Sequence, residues 1–173
     1  LNQSAQNASS GVGSLQVADG ALAQVTTLLN RAVTLATEAA TGTVSSSQRG
    51  ALDAEFTAIK AEIDRIGSNT TFNGTAVFTA STTSIFLSDA GSNSTIGVTV
   101  GTLSTATMSN GAGGSVNLNS DALTGTDGTA ATTALGHINS AIAGVAGARG
   151  TIGASINRLQ AAVNVMNNQV QNL

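Results

Sequence analysis

The sequence predicts a mainly α-helical protein: an elongated antiparallel bundle, or coiled coil, of three helices with a small β-hairpin region. Apolar residues recur at alternating spacings of three and four in three stretches, the heptad pattern of helices that pack along a narrow stripe. The chain contains no proline that would break these helices. The two longest stretches lie at opposite ends of the chain, so they must run antiparallel in order to pair within one molecule.

The first helical stretch covers about residues 4–40, and the residues of its stripe are smaller than those of the last helix, with alanine at four of nine positions. Small side chains that face large ones allow two helices to approach closely. The pattern fades at Thr41 and Gly42, where we expect the helix to stop. The stripe consists of Ala8, Gly11, Leu15, Ala18, Leu22, Val25, Leu29, Ala32 and Ala36.

A shorter helix is predicted over residues 46–66. Ser45 and Gln48 form an S-x-x-Q capping box at its start, and Gly67 is expected to end it. Its charged side chains are interpreted as a solvated face that includes the ion pairs Glu62–Arg65 and Lys60–Asp64. Its stripe consists of Leu52, Phe56, Ile59, Ile63 and Ile66.

The β region is predicted between residues 68 and 105. Asn73–Gly74 is a turn signal, and residues 85–87 and 95–100 are predicted as two short strands joined at Gly91, Ser92 and Asn93. Residues 106–129 consist largely of Ser, Thr, Gly, Asn and Ala, which predicts a flexible tip.

The last helix is predicted over about residues 130–172, with Thr126, Asp127 or Thr129 available to cap its start. Its stripe is apolar at every position except Arg149. Glycines recur at every third residue from 144 to 153, away from the stripe. They reflect either the glycine-rich composition or close packing against the outer face of the helix. The stripe consists of Leu135, Ile138, Ile142, Val145, Arg149, Ile152, Ile156, Leu159, Val163, Met166, Val170 and Leu173.

Composition argues against several classes of function. Only 9% of residues are charged, against about 25% in typical soluble domains, and the net charge of −3 provides no basic face for nucleic acid. No run is apolar enough to span a membrane. The absence of cysteine excludes disulfides and thiolate metal sites. His137 is interpreted as a surface residue, and no nucleophile, acid/base pair, metal site or cofactor motif is found, so we expect no enzyme and no cofactor.

Several short runs, taken together and in order, resemble bacterial flagellin. The resemblance covers residues 1–105 and 130–173. It implies a structural subunit of the extracellular flagellar filament, with other flagellin subunits as partners. It also implies a core fragment without the terminal polymerisation helices, which we expect to be monomeric by itself. The runs are 1–3, 7–8, 29–36, 54–56, 62–66, 71–74, 138–142 and 153–159.

The resemblance also implies a domain division. Residues 1–67 and 130–173 would form a discontinuous helical rod domain, and residues 68–105 would be a β-hairpin region of the same domain. The tip at 106–129 would stand in place of variable outer domains. Two alternatives remain open: a flagellar hook–filament junction protein, and a flagellin-like surface adhesin or polysaccharide-binding protein.

Flagellins of the usual type are ligands of a flagellin-sensing Toll-like receptor of the host, and this resemblance implies a receptor or subunit interface here. Val33 and Thr34 stand where a second Arg and a Glu are common, so we expect reduced receptor affinity. An exposed Arg beside apolar residues is a common anchor of interfaces. The candidate interface residues are Asn30, Arg31, Leu35, Glu55, Ile138 and Ile142.

Overall fold

The computed structural model describes residues 2–87 and 95–171, apart from the side chain of Val170. Within these residues it contains three long helices and three small antiparallel strand pairs, which confirms the predicted fold class. The helices are α1 (Asn2–Ala40), α2 (Ser46–Asn69) and α3 (Thr129–Gln171), and the strand pairs are β1 (Thr71–Phe72) with β2 (Thr75–Ala76), β3 (Thr83–Phe86) with β4 (Thr95–Val98), and β5 (Met108–Ser109) with β6 (Ser115–Val116).

The junction between α1 and α2 follows the predicted capping chemistry. The backbone N–H of Gln48 donates to Ser45 Oγ at 3.2 Å, and the backbone N–H of Ser45 donates to Gln48 Oε1 at 2.9 Å. This reciprocal pair satisfies two donors that the start of a helix leaves free. Arg49 in the first turn of α2 donates to the carbonyls of Ala39 (2.7 Å) and Thr41 (3.0 Å), so one buried side chain also caps the end of α1.

The start of α3 is also held by a side chain. The Asp127 carboxylate accepts a hydrogen bond from the backbone N–H of Thr129 at 3.0 Å, and this bond lowers the pKa of Asp127. A negative charge at a helix N-terminus is favourable because the helix dipole is positive there. The predicted turn at 91–93 and Leu173 of the C-terminal stripe lie outside the described residues, as does the side chain of Val170. None of the helices in the described ranges has both the length and the hydropathy that crossing a bilayer requires.

The chain divides into two compact units. The first consists of Leu1–Ala21, Thr70–Thr102 and Arg149–Leu173. In this unit the start of α1 packs antiparallel to the end of α3, because a Cβ on Gly11 would meet Leu159, and Asp19 meets Arg149.

The ion pair in the first unit explains the single charge in the stripe of α3. Arg149 Nε donates to Asp19 Oδ1 at 2.8 Å, and each side chain is 38% exposed. This bond raises the pKa of Arg149. The β3–β4 hairpin covers the same helix pair, with Ile85 and Val98 buried.

The second unit consists of Leu22–Asn69 and Leu103–Ala148. Its core contains the stripe of α1 from Leu22 onward, four of the five residues of the predicted apolar stripe of α2, and the start of α3, whereas Leu52 of α2 is half-buried. On this part of α3, Ala131, Ala134, Ile138 and Ala141 are fully buried, whereas Leu135 and Ile142 are half-buried. The three alanines let neighbouring elements approach the helix closely around Ile138.

The structure differs from the prediction of a flexible tip at 106–129. This segment contains β5, β6 and a 3-10 helix at Leu118–Ser120, and it buries the side chains of Met108, Leu118 and Leu123 completely or nearly so. Its polar composition concealed these few apolar anchors, which pack into the core of the second unit.

Two glycines allow the chain between residues 103 and 109 to approach the helices. Gly67 does not end α2 as predicted; it lies inside the helix, where a Cβ would collide with the carbonyl of Leu103. A Cβ on Gly144 of α3 would likewise collide with the carbonyl of Ser109 in β5. Close packing therefore explains Gly144, but not Gly150 or Gly153, where a Cβ would meet nothing within 4 Å.

This contrast makes a prediction about two glycines of one helix. We expect Gly144→Ala to lower the free energy of unfolding by about 1–3 kcal/mol, because the methyl group overpacks against β5. We expect Gly150→Ala to raise it by about 0.5–1 kcal/mol, because the site is open and alanine favours the helix. Urea unfolding followed by circular dichroism measures both. Equal effects of the two substitutions would show that β5 does not pack on α3 as described.

Candidate functional site

One exposed polar feature of the predicted interface is an ion pair between α1 and α2. Arg31 Nε donates to Glu55 Oε1 at 2.6 Å, and Arg31 Nη2 donates to Glu55 Oε2 at 2.9 Å. Such a bidentate arrangement fixes the orientation of both groups. The hydrogen bond lowers the pKa of Glu55 and raises that of Arg31. Because the side chains remain 52% and 44% exposed, the pair is accessible on the surface of the second unit.

The other predicted interface residues divide into two groups. Asn30 is exposed and Ile142 is half-buried, so both can reach a partner at the surface. Leu35 is 1% exposed and Ile138 is 0% exposed, and both belong to the core of the second unit. This differs from the expectation of exposed apolar residues beside Arg31. The exposed polar members of the predicted set are Asn30, Arg31 and Glu55, and we call them the Arg31 surface.

The sequence did not predict a second polar cluster, which lies in the same compact unit. Three charged side chains of α2 hold the segment 103–123 by its backbone. The Asp53 carboxylate accepts from the N–H of Leu123 at 2.7 Å, and Lys60 Nζ donates to the carbonyl of Asp121 at 2.7 Å. Asp64 belongs to the same set and is described next. We call these three residues the α2 tether.

Asp64 makes two hydrogen bonds to the segment, whereas Asp53 and Lys60 make one each. Its two carboxylate oxygens accept from the backbone N–H (2.7 Å) and the hydroxyl (2.8 Å) of Thr105. Thr105 is fully buried, so its donors have no access to water. Burial of a polar group without a partner is costly, and these two bonds remove that cost.

Lys60 and His137 complete the cluster. Lys60 is only 8% exposed, and its ammonium lies 4.6 Å from the ring centroid of Phe56, a cation–π contact. The Asp121 carboxylate contacts His137 Nδ1 at 2.9 Å. The lone histidine therefore lies at the surface, with its side chain 43% exposed, and is paired with the tethered segment.

The prediction of a solvated charged face on α2 was correct for Glu62–Arg65, whose atoms approach to 2.6 Å, and wrong for the tether. Lys60 and Asp64 do not pair with each other; each bonds the segment instead. One signal could have indicated this. Asp53, Lys60 and Asp64 are separated by seven and four residues, so they share one face of the helix.

The chemistry of these clusters is that of hydrogen bonding and charge pairing. Among residues 2–87 and 95–171, no group of three or more His, Cys, Asp or Glu side chains could hold a metal ion. In the same described ranges every buried side-chain nitrogen or oxygen has a hydrogen-bond partner. The tether is therefore satisfied internally, whereas the side chains of Arg31 and Glu55 remain exposed at the surface.

The first unit has a cavity of about 380 Å³ between α1 and strands β1–β4. Leu15, Ile85 and Val98 form apolar parts of its wall, and Ser, Thr and Asn side chains form much of the remainder. The residues that line this cavity belong to the first unit, whereas the predicted interface residues belong to the second unit. Asn73 at the β1–β2 turn is among the residues that line it.

Comparison with known proteins identifies the class to which this architecture belongs. Residues 1–83 match the bacterial flagellin N-terminal helical region. The chain is 42% identical over 74 residues to Flagellin A of Vibrio anguillarum, which covers 43% of this chain and 20% of that protein. It is 35% identical over 79 residues to the flagellar filament 31.3 kDa core protein of Treponema maltophilum, which covers 46% of this chain and 28% of that protein.

The crystal structure of Bacillus cereus flagellin is similar over a larger part of the chain. Its TM-score is 0.74 with 29% sequence identity, and the alignment covers 92% of this chain and 88% of that chain. The fold is thus that of a helical structural protein with small strand pairs. The chain is therefore similar to bacterial flagellins in the sequence of its first 83 residues and in its fold. It spans less than a third of the two curated relatives named above.

The tether makes a prediction about stability. We expect Asp64→Ala to lower the free energy of unfolding by about 2–4 kcal/mol, because two buried donors of Thr105 lose their acceptor. The matched control is Glu62→Ala, two residues away on the same helix, which removes only the exposed pair with Arg65 and should leave the urea midpoint unchanged. If both variants unfolded at the midpoint of the parent chain, Asp64 would not hold the segment.

Proposed function

We propose that this chain is the helical core part of a structural subunit of the bacterial flagellar filament, located outside the cell and packed against other flagellin subunits. The observation that carries the proposal is the similarity to Bacillus cereus flagellin over 92% of this chain, together with the match of residues 1–83 to the flagellin N-terminal helical region. The family is one of structural proteins, so we propose a structural and not a catalytic role.

The surface of the chain supports a role among closely packed copies. Charged residues make up only 9% of the chain, and three large apolar side chains are exposed among the described residues: Val17 (37%), Phe86 (57%) and Val165 (56%). Exposed apolar side chains favour contact with a partner when several of them contribute to one patch. A subunit surrounded by neighbours needs few charges for solvation. We therefore propose Val165 of α3 as a subunit-contact residue.

Residues 106–129 have a place in this proposal. We propose that this short segment occupies the position where longer flagellins carry variable outer domains. The α2 tether holds the segment against α2 through the backbone of Leu123 and Asp121, so the segment covers part of the core of the second unit. We propose with it that residues 1–67 and 130–173 form the helical rod domain and that residues 68–105 are its β-hairpin region.

The proposal predicts the behaviour of the complete protein in a flagellin-deleted strain of the bacterium that produces it. Expression of the complete protein should restore filaments in electron micrographs and swimming in soft agar. Val165→Asp should leave the helical circular dichroism unchanged and shorten or abolish the filaments, because a charge would enter a subunit contact. Gln160→Asp, at another exposed position of α3, is the matched control and should retain filaments.

Two results would contradict this proposal. A complete protein that restores no filament would exclude the role of a main subunit. Protein found only at the junction between hook and filament would favour the junction-protein alternative.

We also propose that the Arg31 surface contributes to recognition by the flagellin-sensing Toll-like receptor of the host. The supporting observation is the orientation of Arg31 by Glu55 on an exposed face of the second unit. A pre-oriented guanidinium loses little side-chain freedom when it binds a carboxylate of a partner. Asn30 and half-buried Ile142 are proposed to contribute beside it, whereas buried Leu35 and Ile138 support the surface from the core.

The receptor proposal predicts a loss of affinity in one variant. Arg31→Ala should weaken binding to the receptor ectodomain by at least about tenfold in a titration, because it removes the charged anchor of the surface. Arg65→Ala is the matched control, since Arg65 forms the equivalent exposed pair with Glu62. Equal affinities of the two variants would remove Arg31 from the site, and no binding by the parent chain would refute the receptor proposal.

A further inference from the structure

The chain contains two Asn-Gly sequences, and the structure places them in opposite surroundings. Asn73–Gly74 forms the two-residue turn between β1 and β2, and Asn110–Gly111 lies between β5 and β6. Asn-Gly is favoured in two-residue turns such as the one at Asn73 because both positions take positive φ angles there. The same dipeptide is chemically the most labile of asparagine sequences, since glycine has no side chain to shield its backbone nitrogen.

Asn73 is exposed and unrestrained. Its φ is +50° and that of Gly74 is +77°, and a Cβ added to Gly74 would meet nothing within 4 Å. Within the described residues the Asn73 side chain makes no hydrogen bond. The turn is closed by two residue pairs, Phe72 with Thr75 and Thr71 with Ala76, and by a hydrogen bond from the backbone N–H of Val77 to the Thr70 carbonyl at 3.0 Å. None of these backbone contacts restrains the exposed side chain of Asn73.

Asn110 is held in place. Its side-chain oxygen accepts hydrogen bonds from the backbone N–H groups of Ala112 and Gly114, each at 2.9 Å. The backbone N–H of Asn110 donates to the Gly114 carbonyl at 3.1 Å. Gly111 packs on the backbone of Ala143, where even a Cβ would come within 3.1 Å. Rotation of the Asn110 side chain towards its neighbour would break these bonds.

We propose that Asn73 is a site of spontaneous deamidation in the folded protein, and that Asn110 is protected. The backbone nitrogen of Gly74 attacks the side-chain amide carbon of Asn73, a C–N bond forms, and the amide nitrogen leaves as ammonia with the proton from the Gly74 N–H. Water then opens the resulting succinimide at either carbonyl. The products are aspartate, or isoaspartate when the main chain continues through the former side chain.

Both products change the surface of the first unit. Each places a carboxylate on the lining of the cavity between α1 and β1–β4, where Asn73 contributes a neutral amide. Isoaspartate also adds a methylene group to the main chain, which is incompatible with the register of Phe72 opposite Thr75. The modification therefore alters the turn and its charge without an enzyme.

The test compares the two asparagines within one sample of the complete folded chain. The chain is incubated in mildly alkaline buffer and digested with a protease that cleaves after Phe, which separates Asn73 from Asn110 into different peptides. Mass spectrometry then measures replacement of the amide NH₂ by OH at each site. We expect Asn73 to convert at least about tenfold faster than Asn110, because the two side-chain hydrogen bonds of Asn110 must break first.

Two controls isolate the effect of the fold. In urea, where both sites are unfolded, the two rates should become similar. Asn73→Gln should remove the fast conversion from the folded chain and leave the slow conversion at Asn110, because a longer side chain closes its ring far less readily. The inference would be overturned if Asn110 converted as fast as Asn73 in the folded chain. It would be overturned equally if Asn73 stayed intact there while both sites converted in urea.

Discussion

Burial of the apolar stripe along α3 is the constraint on which the rest of the structure depends. Ile138, Val145, Ile152, Leu159 and Met166 recur at exact intervals of seven, and each is at most 5% exposed. A helix of 43 residues with few charges can present such a stripe only if other elements cover it throughout. Each unit supplies its own cover. In the first unit the start of α1 and the β3–β4 hairpin contribute, and in the second unit the remainder of α1 and α2 do so.

The elements defined by periodic patterns could be predicted from the sequence because each residue contributes to a repeated signal. The structure contains the stripe of α1, the capping box at Ser45 and the Asn73–Gly74 turn at the positions that their local sequence predicts. The course of residues 106–129 could not be predicted in this way. That segment is held by a few isolated anchors, such as Leu118 and Leu123, and by partners that are distant in the chain.

The candidate site illustrates the same limit at the level of single side chains. The resemblance to flagellin selected six residues, and helical periodicity could have separated them further. Leu35 and Ile138 follow the apolar stripes of their helices by spacings of three and four, which places them in the core, whereas Arg31 and Glu55 lie off the stripes. The α2 tether was missed because a charged residue on a helix is usually solvated. Its partners are mainly backbone groups of a segment without periodicity.

The two kinds of charged contact in the second unit have different physical roles. The exposed pair of Arg31 and Glu55 is screened by water, so it contributes little to folding and remains available to a partner. The tether contacts are partly buried and bind backbone donors and acceptors, so they contribute to the fold and offer nothing to a partner. In a chain with 9% charged residues, this division leaves few charges at the surface. Surface contacts of such a protein must therefore depend mainly on shape and on apolar area. An exposed Arg that is oriented by a carboxylate, such as Arg31, is one of the few charged groups on this surface.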